Sequence, residues 1–267
     1  MQLLSPATPW EAQRLADALG PSARYLSGAT VVQQEWDDPR LAPDGITFIN
    51  LMGWPQTQQI TLEEEGLRIG AAARLETVRT NALVHAHAPL LCTALAQLGA
   101  PGVRRLGTIG GNVGWGVGDT GPVLLALDAE AELADGRREP LFLCLQRPVR
   151  PLMTAFWLPR ADRHPPSRSV FEKVGYRAAF SPARIRLALR WSADGRAVAR
   201  VAAGAPGTPV HRLLAVEALL DPAAASALPT LEGIRAACQA SLPTELALIA
   251  SRLIAGHAGC LANAAEG

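Results

Sequence analysis

The 267-residue chain has a net charge of +1, and only 18% of its residues are charged, below the quarter or so usual for globular domains, which argues against nucleic acid as the main partner. A mean hydropathy of +0.13 suits a chain that buries part of its surface against other subunits. No apolar run reaches the length of a membrane span, and Met1-Gln2-Leu3-Leu4-Ser5-Pro6 has no signal-peptide form, so a cytoplasmic chain is expected, with export on a partner left open.

The length allows two modest domains or one large one. Thr8-Pro9-Trp10-Glu11 is a capping box with proline at the first helical position. Ala12, Leu15, Ala16 and Leu19 then keep helical spacing up to Gly20. Arg24-Tyr25-Leu26 reads as a short strand running into a small-residue loop, Ser27-Gly28-Ala29-Thr30, with Val31 and Val32 beyond. Ile46–Leu51 reads as a strand, and Gln59–Leu62 with Leu67–Gly70 as a hairpin turned by three solvated glutamates, Glu63, Glu64 and Glu65. His85 and His87 stand two residues apart, which suits a strand or loop, and no third ligand is near. A helix is expected from Pro89, with Leu90, Leu91, Ala94, Leu95 and Leu98 on one face, ending at Gly99.

Glycine then crowds one stretch: Gly107, Gly110, Gly111, Gly114, Gly116, Gly118 and Gly121. Such a run is either a long irregular turn or a cradle in which backbone amides approach an anionic group ahead of a helix. That helix would be the short buried one at Val123–Leu127. The loop at Ser27–Thr30 is the natural second half of such a cradle. Gly116-Val117-Gly118-Asp119-Thr120-Gly121 also fits a dinucleotide fingerprint, but no strand precedes it, so it is read as a chance match.

Ala131–Leu133 and Glu139–Leu141 suggest a hairpin, and Leu152–Leu158 a buried strand. Pro159–Ser167 is the clearest linker and marks a domain boundary. Beyond it Val170–Val174 reads as a strand. Ile185, Leu187, Leu189 and Trp191 alternate with Arg184, Arg186, Ala188 and Arg190, whose arginines are expected to be solvated or at a subunit interface. Asp194-Gly195 turns the chain back through Val198–Ala203. Helices are expected around Val210–Leu220 and Leu231–Ser241 and from Thr244. Cys92, Cys144, Cys238 and Cys260 form no CxxC and sit among apolar neighbours, as buried free thiols do. No metal site and no iron–sulfur cluster within this chain is expected.

Taken together, Tyr25-Leu26-Ser27-Gly28-Ala29-Thr30, Leu67-Arg68-Ile69-Gly70-Ala71, Thr108-Ile109-Gly110-Gly111-Asn112, Gly118-Asp119-Thr120 with Leu124–Ala129, and Phe171-Glu172-Lys173-Val174-Gly175 resemble the FAD-binding subunit of molybdenum hydroxylases, a family that includes xanthine dehydrogenase and carbon monoxide dehydrogenase. The resemblance runs over nearly the whole chain, and Thr-Ile-Gly-Gly-Asn is its most specific element.

The resemblance implies an α+β fold: a two-lobed FAD-binding domain of the vanillyl-alcohol-oxidase (PCMH) type over residues 1–160, with lobes of about 1–52 and 53–160, and a small C-terminal α+β domain over 167–267. By matching position, Tyr25, Leu26, Ser27, Gly28, Ala29, Thr30, Val31 and Val32, together with Thr108, Ile109, Gly110, Gly111 and Asn112, would hold the diphosphate and ribose of FAD. Asp119 would accept from sugar hydroxyls, Leu98 and Met153 would pack on the cofactor, and Lys173 would sit by the isoalloxazine. No residue need act as nucleophile or base. The chain would carry electrons from two [2Fe–2S] clusters of a small subunit, reduced by a molybdopterin-bearing large subunit, to NAD+, oxygen or another acceptor. A dimer of such heterotrimers is implied by family only. The alternative is a structural subunit that has lost FAD. It is suggested by Ala29 where many relatives have glycine, by Val31 where an acid or polar residue often stands, and by a segment at Trp115 about two residues short.

Overall fold

The computed structural model describes residues 1–38, 41–159, 168–177, 181–192, 198–221 and 229–259. The expected linker beyond Pro159, the Asp194-Gly195 turn and Cys260 lie outside the described residues.

Three sheets organise the chain. The first is all parallel, with Thr47–Asn50 between Gln2–Leu4 and Ala23–Leu26. The helix Pro9–Leu19 makes the crossover between the outer two strands. The first half of its capping box forms as expected, the Thr8 side chain accepting from the Glu11 amide at 3.1 Å, while the Glu11 carboxylate reaches one residue further back and accepts from the Ala7 amide at 2.7 Å. Gly20 ends the helix at φ 55°, where a side chain would be strained. Ala12, Ile49, Trp54 and Leu152 form the core behind this sheet.

The second sheet has five antiparallel strands, in the order Ile60–Leu62, Gly66–Gly70, Met153–Pro159, Glu130–Leu133, Arg138–Pro140. Both hairpins read from the sequence are there, and Glu63, Glu64 and Glu65 are exposed at their turn. Short helices between Leu75 and Ala126 pack on it through Leu91, Leu95, Ile109 and Leu124, all fully buried.

The third sheet is an antiparallel meander, Thr208–Arg212, Val198–Ala205, Ala183–Trp191, Ser169–Gly175. One face carries Ile185, Leu187 and Leu189 into a core shared with the helices Leu214–Leu219, Leu231–Gln239 and Thr244–Ala258. The other face contributes Phe171, Ala188, Ala202 and Val210 to the same apolar cluster as the second sheet.

Four expectations are corrected. His85 and His87 lie in a helix, Ala82–His87, because the Asn81 side chain caps it through the Leu83 and Val84 amides. Residues 208–212 are a strand, so the helix expected around Val210–Leu220 begins only at Leu214. Arg186 does not face solvent: it is 6% exposed, because its face of the sheet packs against the second sheet and its helices. Arg190, on the same face, pairs with Asp128 across that junction. Finally, the glycine run opens with a helix, Ile109–Gly114, rather than with a turn or a loop ahead of a helix. Glycine is a poor helix former, but Gly110 lies so close to Ala71 that a β-carbon there would press on its carbonyl and methyl group.

Candidate functional site

One cavity of about 600 Å³ opens where the three sheets converge. That is within the range of small-molecule and cofactor sites. The run Tyr25–Val32 lines it, as do Leu98, Thr108, Gly110, Gly111, Asn112, Asp119, Met153 and Lys173. Of the residues singled out from the sequence, Ile109 stands apart. It is fully buried in the core behind the cavity, with its amide donating to Ala73 O. Trp115 forms part of the wall at 37% exposure and leaves the cavity open.

The two loops are joined directly. Ser27 Oγ and Thr108 Oγ1 are 3.0 Å apart. A β-carbon at Gly28 would collide with the Leu106 carbonyl and the Gly107 Cα, so Gly28 is what lets the backbones approach. The Leu106 carbonyl also accepts from the Arg74 guanidinium.

Their amides are used differently. Those of Ile109, Gly110, Gly111 and Asn112 donate to Ala73 O, Ala71 O, Thr108 Oγ1 and Thr108 O. Those of Gly28, Ala29, Thr30 and Val31 donate to no partner among the described residues. Ala29 holds φ 55°, a left-handed conformation that costs a non-glycine residue roughly 1–2 kcal/mol. A single left-handed residue within a run otherwise free of positive φ is the kind of backbone alternation that anion-binding nests use.

Other predicted polar groups are spent on structure. Asn112 Oδ1 accepts from the Thr120 amide at 3.0 Å and from its hydroxyl at 2.6 Å, starting the helix Thr120–Ala126. Asp119 is 3% exposed and binds Lys173 Nζ at 2.6 Å through Oδ2 and Arg186 Nε through Oδ1. Lys173 also donates to Gln97 O at 3.2 Å. The Tyr25 hydroxyl is buried without a partner among the described residues, and its pKa is raised by burial, with the Asp17 carboxylate adding to the effect.

Several cavity residues were not expected from the sequence, and four of them bear on its charge and shape. Arg24 and Arg150 line the wall, and Arg150 donates to Gly114 O at 2.9 Å beside Gly116, whose φ of 83° and missing β-carbon make room for the guanidinium. Arg186 is a third. The fourth is Gly99, which with Leu98 is fixed through carbonyls that accept from Arg104 Nη1 at 2.8 and 2.9 Å. Arg104 is itself held by Glu76 at 2.6 Å. No local motif marks any of these; they meet only in the folded chain. Among the described lining residues four are basic, Arg24, Arg150, Lys173 and Arg186, and one is acidic, Asp119. A chain close to neutral overall thus concentrates positive charge at this cavity.

Among the described residues no group of His, Cys, Asp and Glu is placed to hold a metal ion, and no helix is long and apolar enough to cross a membrane. Cys92, Cys144 and Cys238 are buried free thiols.

A family model described as the FAD binding domain in molybdopterin dehydrogenase matches residues 1–142. The xanthine dehydrogenase FAD-binding subunit of Escherichia coli O157:H7 is 29% identical over 136 residues, 47% of this chain and 45% of that protein. The nicotinate dehydrogenase FAD-subunit of Eubacterium barkeri is 30% identical over 114 residues, 42% of this chain and 38% of that protein. The matched stretches thus span less than half the length of these curated relatives. In fold, the chain is similar to carbon monoxide dehydrogenase from Hydrogenophaga pseudoflava, with a TM-score of 0.73, 23% identity and coverage of 97% of this chain and 94% of that one. It is also similar to quinoline 2-oxidoreductase from Pseudomonas putida 86, with a TM-score of 0.68, 17% identity and coverage of 97% and 95%.

Proposed function

The chain belongs to the family of FAD-binding domains of molybdopterin dehydrogenases, and from that premise we propose that it is the FAD-carrying electron-transfer subunit of a heterotrimeric molybdenum hydroxylase. Its partners are a small subunit with [2Fe–2S] clusters and a large molybdopterin subunit. Residues 1–160 are its two-lobed PCMH-type FAD-binding domain, with lobes of about 1–52 and 53–160, and residues 167–267 its C-terminal domain.

The observation that carries this reading is the cavity itself, with four free amides and an excess of basic side chains. A dinucleotide brings two negative charges on its diphosphate, and unengaged amides in a nest are suited to them. The residues fit the cofactor, with the work divided differently from the sequence expectation. Gly28, Ala29, Thr30 and Val31 offer the amides, and Arg150 adds a cation. Gly110 and Gly111 supply a bare wall rather than donors, their amides being taken. Leu98 and Met153, both nearly buried, give apolar surface for rings. The bound FAD supplies one- and two-electron redox chemistry. The chain's own residues bind it, orient it and set the charge around it, and none is required as nucleophile or base.

Purifying the tagged full-length chain from its host tests the proposal. Flavin absorption bands, with a large and a small subunit co-purifying, support it; a chain isolated alone as a flavoprotein contradicts the assembly. The second reading, a structural subunit without FAD, is favoured by the spent amides of Ile109–Asn112. It predicts the same partners and a complex lacking flavin when the cofactor is extracted.

A further inference from the structure

Lys173 and Arg186 are direct cross-strand partners in the third sheet. Like charges placed opposite one another in an antiparallel pair are destabilising, more so where burial removes the screening of water. Arg186 is 6% exposed, and its Nη1 is closed off from solvent with no hydrogen-bond partner among the described residues. Buried polar groups are nearly always satisfied, and an orphaned one calls for a reason. One carboxylate stands against the two cations: Asp119 gives Oδ1 to Arg186 and Oδ2 to Lys173. The neighbouring Glu172 is taken by His257 at 2.8 Å. The cavity's remaining charged walls, Arg24 and Arg150, are also basic.

We propose that Arg186 is a positioning residue of the cofactor site, fixing Asp119 from behind so that the Lys173–Asp119–Arg186 group leaves one positive charge uncompensated at the wall and the cavity favours the reduced, more negatively charged form of bound FAD. This rests on the FAD reading above. The free amides at Gly28–Val31 serve the diphosphate, whose charge is the same in both redox states. The third-sheet end, bordered by Leu98, Pro182 and Ala183, is left for the ring, whose charge differs between them. A uniform structural role for Arg186 would alter stability without changing the preference between the two forms.

The test uses the purified full-length chain loaded with FAD. It measures the affinity for oxidised FAD by absorbance titration and the midpoint potential by dye-linked reductive titration. R186M, R186Q and R186K are compared with the unchanged chain, and thermal melts check folding. The expected result is a potential at least about 30 mV lower in R186M and R186Q, the two-electron equivalent of a tenfold loss of preference, with R186K restoring most of it. An unchanged potential in folded R186M or R186Q overturns the proposal, even if FAD affinity falls, since the charge would then not be felt by the ring. If R186M does not fold, R186Q and R186K decide: equal potentials in those two overturn it as well. Failure of the unchanged chain to bind FAD overturns the FAD reading and this inference together, and is told apart by appearing before any variant is made.

Discussion

Ala29 carries the clearest local strain. Its φ of 55° puts Cβ against the backbone, a cost glycine avoids. A29G is expected to raise stability by up to about 1 kcal/mol, part of the relief being offset by the greater freedom of glycine in the unfolded chain, and a thermal melt measures it. A fall in the melting temperature would mean that the strain is imaginary. The thiols make a second case. Burial, and then the hydrogen bond to Glu139, push the Cys144 pKa up to about 12, and burial alone does the same for Cys238. Burial raises Cys92 too, against a smaller opposing pull from Arg79. Thiolate is the nucleophile, so at pH 8 these three are expected to resist alkylation in the native protein and react only on unfolding, as peptide mapping by mass spectrometry would report.

The helix Ile109–Gly114 shows why an element can be illegible in sequence while its role is not. Three of its six residues are glycine, and propensity reads that as a turn. The helix exists because Thr108 caps it and because the bare backbone at Gly110 fits against Ala71. Tertiary packing overrides propensity here. The same tightness consumes the amides that a sequence reading would offer to a phosphate. T108V removes both the cap and the contact to Ser27, and is expected to cost roughly 1–2 kcal/mol, read by chemical denaturation. If stability is unchanged, the cap is decorative. Elements with strong periodicity or caps, such as Pro9–Leu19, Gly66–Gly70 and Ala183–Trp191, were legible from residues alone. The inward-facing arginines of the last were not, because alternation tells two faces apart and cannot say that both are covered.

Glu76 links two further elements. Hydrogen bonds from Arg79 and then Arg104 hold its carboxyl down at about 2, against an ordinary 4.5. A depressed folded pKa contributes stability that is present above the unfolded value and lost as pH falls through the folded one. The native chain is therefore expected to lose stability between about pH 5 and pH 2 more steeply than E76Q, in melts across that range. Equal slopes would remove Glu76 from the account. Because Arg104 also holds the carbonyls of Leu98 and Gly99, the loss should reach the cavity wall.

At the scale of the whole molecule, the third sheet is tied to the rest by apolar contacts through Phe171, Ala188, Ala202 and Val210. Asp128 reinforces them by receiving Arg190 and Arg200. A proline-rich linker marks a boundary in the sequence, but linker composition says nothing of apolar contacts made across it. Calorimetry is expected to give one unfolding transition, because the cluster shared by the second and third sheets couples them. Two well-separated transitions would show the cores to be independent.

The positive cavity with its free amides is the centre of the account. Its most direct measurement is an absorbance titration of the purified chain with FAD, beside G28A, in which the added methyl group must push the two loops apart. Saturable binding of one FAD per chain, weakened at least tenfold in a folded G28A variant, is the result predicted. No binding by the unchanged chain, or equal binding by both, would contradict it.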